Sequence, residues 1–173
     1  MKKRLVTALA LAILLCGCAQ TDYETVSDEY TPLPPGEKAQ MVLSFSGDTE
    51  VSAMESEAQE SIYFCDGFTL TKQTLESGDL DKTLRTVTGF GRDKLNLMTQ
   101  NQDGFRRYDF VWSCAGEGGD QICRGSILDD GNYHYVVTTM APEENALQLR
   151  AVWNDLFSSF TLNTDPALSG TEP

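Results

Sequence analysis

The run Phe105–Cys114 restricts the fold more than any other stretch. Tyr108, Phe110, Trp112 and Cys114 share one parity; Arg107, Asp109, Val111 and Ser113 share the other. Successive side chains of a strand point to opposite faces, so this alternation specifies a strand with one aromatic face and one more polar face. Turn chemistry brackets it, with Asn101-Gln102-Asp103-Gly104 before and the polar, Gly-rich Ala115–Ile122 loop after. Cys123–Leu128 returns as a strand. Asp129-Asp130-Gly131-Asn132 then reads as a hairpin turn, since Asp-Gly accepts positive φ. Tyr133–Met140 is β-branched and aromatic, which suits a third strand. Together these make an antiparallel meander.

The flanking segments supply more strands and two helices. Met41, Leu43 and Phe45 alternate with polar or smaller residues, and a further strand is expected near Glu50–Met54. Ile62–Cys65 and Phe68–Thr71 are β-rich runs split by Asp66-Gly67, which fits a tight turn or a bulge. Asp79 is a suitable N-cap for a short helix with Leu80, Leu84 and Val87 on one face, and Gly89 can end it. Leu95, Leu97 and Met98 suggest another strand. Pro142, Glu143 and Glu144 open a second helix, with acidic residues where the helix dipole favours them. Its apolar stripe is Leu149, Val152, Trp153, Leu156 and Phe157, and Phe160 and Leu162 read as a closing strand. The expected class is therefore α+β. A single meander-rich antiparallel sheet packs with a short helix near 79–88 and an amphipathic C-terminal helix near 143–158.

The N-terminus carries a different message. Lys2, Lys3 and Arg4 precede an apolar run, Leu5–Leu15, that is too short to span a bilayer, which takes about 20 residues. Leu15-Cys16-Gly17-Cys18 then resembles the lipobox of bacterial lipoproteins, with Leu15, Gly17 and Cys18 in the matching places. Cys16 fits less well, because bulky Leu15 would occupy its preceding position. The resemblance implies cleavage before Cys18 and a diacylglyceryl (palmitate-type) anchor on its sulfur. It places the protein on the cell membrane, facing the extracytoplasmic side. The expected organisation is a signal peptide at 1–17, a lipidated N-terminus and acidic, Pro-containing spacer at 18–38, a globular domain at 39–162 and a tail at 163–173. The spacer has too few apolar residues to offset its ordering entropy.

Charge narrows the partners. The chain has 26 Asp and Glu against 13 Lys and Arg. Loss of residues 1–17 would remove three of the bases and no acid, making the mature protein more acidic still. That argues against nucleic acid and against docking on anionic lipid through basic residues. The membrane contact is expected through the lipid on Cys18, with an unknown protein or envelope component as further partner.

The order of elements in 60–162 also resembles the PsbP-like sandwich and the bacterial lipoproteins of the DcrB kind. The pieces are a capped helix at Asp79–Val87, a meander with a Tyr-rich hairpin at Phe105–Met140, an amphipathic helix at Asn145–Phe157 and a closing Ser159-Phe160-Thr161-Leu162 strand. The acidic segment Glu50–Glu60 departs from that plan. The resemblance implies binding or scaffolding roles and supplies no catalytic residues.

Three cysteines remain after Cys18. Cys114 and Cys123 flank the 115–122 loop, and an exported protein can form disulfides. Direct pairing of the two would set Trp112 opposite Gly125 and Phe110 opposite Ile127, and a Cys114–Cys123 bridge is expected, with a bridge from Cys65 to either of them or three reduced thiols as the alternatives. Cys65 is left as a small buried hydrophobe. His134 is the only histidine. A two-residue Asp130-Gly131 turn would pair it with Ile127, too far from Cys123 for a catalytic dyad; Cys65 has no assigned position relative to it. No zinc spacing, calcium loop, nucleophile elbow or phosphate loop is present in the sequence, so no metal or cofactor is expected. Tyr133, Tyr135 and Val137 share a strand face and would form a binding patch if no helix covers them. The leading expectation is a membrane-anchored, non-enzymatic binding or scaffolding lipoprotein. One alternative is a small-ligand carrier with a groove under the C-terminal helix, lined by residues such as Val152, Trp153 or Phe157. Another is a thiol-dependent accessory enzyme or redox protein using Cys65.

Overall fold

The computed structural model describes residues 37–45, 51–57, 60–116 and 118–164. The expected signal segment, Cys18, most of the expected spacer and most of the expected tail lie outside them. The strands are β1 Gln40–Val42, β2 Ser52–Glu57, β3 Glu60–Cys65, β4 Phe68–Glu76, β5 Asn96–Gln102, β6 Phe105–Gly116, β7 Gly119–Asp129, β8 Tyr133–Pro142 and β9 Thr161–Asn163. The helices are α1 Leu80–Thr88 and α2 Ala146–Ser159, the latter preceded by a 3-10 turn at Glu143–Asn145.

Seven strands form one sheet in the order β2-β3-β4-β8-β7-β6-β5. Every neighbouring pair is antiparallel. The α+β class is as expected, with one addition. The first and last strands leave the main sheet and form their own two-stranded ribbon, β1 with β9.

Both faces of the sheet are covered, which explains why β8 is apolar along most of its length. On one face α1 packs through Leu84 onto Tyr108, Phe110, Ile127 and Val136. Its ends follow from local chemistry. Asp79 accepts from the Asp81 N–H at 3.0 Å, and Gly89 sits at φ 79°, where its N–H reaches the Arg85 carbonyl. A non-glycine residue there would adopt a left-handed conformation at a cost. On the other face, Leu149, Trp153, Leu156 and Phe157 of α2 bury against Phe68, Leu70, Leu128, Tyr135 and Val137. Phe160 and Leu162 continue that core into the ribbon, and Met41 packs onto it from β1.

A buried polar cluster ties the end of α2 to the sheet. Arg107 donates from Nε and Nη2 to both Asp109 oxygens, and from Nη2 to the Phe157 carbonyl at 2.7 Å. Its Nη1 donates to Gln102, whose own amide donates to the Phe160 carbonyl. Thus the more polar face of β6 is interior, and its charges satisfy carbonyls that the end of α2 would otherwise leave unpaired.

Two hairpin registers differ from the sequence expectation by a shift of two residues. In β6–β7, Gly116 pairs with Gly119, so the strands run nearly to the turn and the 115–122 segment is mostly strand. Cys114 therefore lies opposite Gln121, Trp112 opposite Cys123 and Phe110 opposite Gly125. In β7–β8, Asp129 pairs with His134 and the turn is Gly131-Asn132, with Gly131 at φ 87°. An even shift preserves which side chains share a face, so the aromatic face survived where the partners did not. Gly125 has a steric reason: a methyl group there would sit 2.5 Å from the Phe110 ring.

Candidate functional site: a groove beside the C-terminal helix

A cavity of about 390 Å³ opens where the first half of α2 passes over β5, β6 and β7. Met98 from β5, Val111 from β6, Ile122 and Arg124 from β7, and Arg150 and Trp153 from α2 line it. The sheet dictates this composition. Met98 pairs with Asp109, and Val111 with Arg124, so residues of alternating parity deliver an apolar floor with a cation at one side. Met98 and Val111 remain 60% and 47% exposed, so core packing does not close the groove. The helix contributes a small residue, Ala146, one turn before Arg150 and two before Asn154.

The charges are unevenly matched. The one carboxylate on the lining, Asp109, is occupied by the Arg107 fork described above. Arg124 donates to the Asn154 side-chain oxygen at 2.7 Å and lies over the Phe157 ring, 4.5 Å from its centre. Neither contact is a carboxylate. Burial pulls the Arg124 pKa down from the ordinary guanidinium value; Asp109 opposes this and Arg107 adds to it. The group stays protonated at any physiological pH. The Arg150 side chain makes no ion pair or hydrogen bond among the described residues. Trp153 is 5% exposed, and its indole N–H has no acceptor.

The residues singled out from sequence fall elsewhere. Cys18 lies outside the described residues. The Tyr133, Tyr135 and Val137 patch is corrected: α2 and the ribbon cover that face, and Tyr135 and Val137 are fully buried. The Tyr135 hydroxyl donates to Asp130 at 2.9 Å and accepts from the Ala39 N–H at 2.8 Å. Burial, reinforced by Asp130, raises its pKa. This triad clamps the start of the domain rather than presenting a surface.

Cys114 and Cys123 do come together, as diagonal rather than direct neighbours. Their sulfurs are 3.8 Å apart and not bonded. Burial, then contact with Cys114, pushes the Cys123 thiol up to about 12. Burial alone pushes Cys65 up to about 11. His134 is 2% exposed, with Nδ1 2.7 Å from the Thr83 hydroxyl and Nε2 3.7 Å from Asp129. It joins α1 to the β7–β8 hairpin. Among the described residues no cluster of His, Cys, Asp and Glu could hold a metal ion.

Of the helix residues proposed to line a groove, Trp153 does so, whereas Phe157 is fully buried in the core. Arg124 and Arg150 were not found by sequence reasoning. Their signal was two bases placed on a strand and a helix otherwise framed by apolar residues, which reads equally well as solvated surface.

No protein-family profile matches the sequence, and no characterised protein matches it. Structural likenesses do exist. A crystal structure from Bacteroides thetaiotaomicron is 8% identical with a TM-score of 0.50, covering 72% of this chain. The chain spans only 46% of that protein's length. Cyanobacterial PsbP (CyanoP) from Synechocystis is 12% identical, with 68% of this chain and 95% of CyanoP covered and a TM-score of 0.43. LpqN of Mycobacterium tuberculosis, described as involved in cell envelope biogenesis, is 12% identical, with 77% and 90% covered and a TM-score of 0.39. The yeast Ran-binding protein Mog1p is similar at 13% identity, 72% and 95% coverage and a TM-score of 0.44. At such identities these likenesses concern the fold alone.

Proposed function

We propose that this chain is a lipid-anchored extracytoplasmic binding protein, without catalytic activity, that holds a small molecule in the groove beside α2. The supporting observation is the open cavity of about 390 Å³ over an apolar strand floor. Small-molecule sites are typically clefts of about 300–1,000 Å³ with a few placed polar groups. A scaffolding surface on Tyr133, Tyr135 and Val137 has lost its basis, since two of them are fully buried. The thiol-enzyme reading lacks support as well: His134 is engaged by Thr83 and Asp129, and Cys65 is held protonated at neutral pH. Anchoring through Cys18 rests on the lipobox resemblance.

An uncharged apolar dye such as Nile red tests the groove. Saturable binding is expected and should be lost in Val111→Phe, which fills the floor at an exposed position without disturbing the core. Binding that is unsaturable, or unchanged in that variant with its melting temperature intact, would place the site elsewhere. For the anchor, Cys18→Ala should abolish lipid incorporation and signal cleavage; normal processing of the variant would overturn it.

A further inference from the structure

We infer that the groove's occupant is an amphiphilic organic acid, its carboxylate held by Arg124 and Arg150 and its apolar body lying over Val111 and Met98. This rests on the groove being the binding site and assigns the class of ligand. Positive charge at the groove is left unanswered. A chain with 26 acidic residues could have placed one beside these guanidinium groups, yet the one carboxylate lining the groove is taken by Arg107. Arg124 is half-buried and paired only with a neutral amide and an aromatic ring. Asn154, to which it donates, lies one helical turn beyond Arg150. Residues four apart on a helix are neighbours at roughly 5–6 Å between Cβ atoms, so Arg150 lies one turn from the amide that Arg124 holds, and both bases line the same groove. A planar guanidinium matches a carboxylate by paired hydrogen bonds, and such bonds are about twice as strong as neutral ones. The unpartnered N–H of buried Trp153 offers one further donor on the lining. Beside these donors and Asn96 the groove exposes Met98, Val111 and Ile122, an apolar stretch that favours a hydrocarbon body over a polyol or a small inorganic anion.

The test uses the full chain carrying Cys18→Ser, so that no attached acyl chain competes. Decanoate, decanol and decyltrimethylammonium have the same apolar body and differ in charge, and binding is read by calorimetry. Decanoate is expected to bind at least about tenfold more tightly than decanol, with the cationic probe weakest. Arg124→Gln and Arg150→Gln should each cost decanoate about tenfold while leaving decanol unchanged. Equal binding of decanoate and decanol, insensitive to both substitutions but lost in Val111→Phe, would overturn the acid and leave the groove standing. No saturable binding of any of the three would overturn both.

Discussion

Gly125→Ala tests the register of the central hairpin and the packing beneath α1 together. A methyl group at Gly125 would lie 2.5 Å from two atoms of the Phe110 ring, against an ordinary carbon contact of about 3.5–4.0 Å. The ring would have to retreat by roughly 1 Å. It has little room, being 2% exposed and stacked on Trp112 at 5.6 Å between centres. Overpacking of this kind typically costs about 1–3 kcal/mol. For a domain of this size that lowers the melting temperature by roughly 3–12 °C. The measurement is thermal and urea unfolding of wild type, Gly125→Ala, Phe110→Leu and the double variant. Phe110→Leu alone should also destabilise. In the double variant the smaller side chain relieves the clash, so the two costs should combine to less than their sum by about 1 kcal/mol. Strict additivity, or an alanine variant within about 0.5 kcal/mol of wild type, would refute the register. Had Gly125 faced Trp112, substitution at Phe110 would carry no such coupling.

Three further outcomes follow from the geometry. Asp109→Asn should strand the buried Arg107 charge and cost about 3–5 kcal/mol in denaturant unfolding, whereas removing both charges with Arg107→Met and Asp109→Leu should cost less than the single change; the reverse order would refute the pairing. Burial resists ionisation of Asp129, yet the nearby His134 imidazole and the bonds from the Gly131 N–H and the Ser77 hydroxyl outweigh it and hold the carboxyl below its usual range. Its folded pKa lies below the unfolded one, so its contribution is present above about pH 4 and is lost as pH falls through the folded value. Asp129→Asn should therefore cost about 1–2 kcal/mol at neutral pH, a gap that narrows in acid; a gap constant with pH would contradict it. Finally, diamide should oxidise Cys114 and Cys123 to an intramolecular disulfide, removing one hydrogen from each thiol, with Cys65 unbonded; peptide mapping that finds Cys65 in the bond would exclude that pairing.

The sequence made the sheet legible because its signals are local. Parity along Phe105–Cys114, capping by Asp79 and Gly89, and the stripe of α2 each depend on residues within a few positions. What was hidden depends on which elements meet across the fold. Tyr133, Tyr135 and Val137 look the same whether a helix covers them or not, and the covering comes from α2, which folds back over the strand just before it, and from β1, far away in the chain. Arg107 and Asp109 were visible as a polar parity, but only the approach of α2 makes that face an interior one. The two hairpin registers were displaced by two residues because Gly116, Gly118 and Gly119, like Asp130-Gly131-Asn132, offer several positions able to take the turn. The groove was the least legible part: an empty volume has no residue of its own, and it exists because Ala146 is small and α2 leaves β5 and β6 partly bare.

The small ribbon fixes where a tether of the proposed kind, on Cys18, would join the domain. Gln40 pairs with Asn163, so the chain enters and leaves the domain side by side. The Tyr135 hydroxyl fastens the incoming strand at Ala39. The attachment point on the domain is thus nearly the same whether the proposed anchor is carried before residue 37 or after residue 164. The same adjacency makes the domain a closed loop in outline, able to be joined end to end and reopened at the Asp66-Gly67 turn.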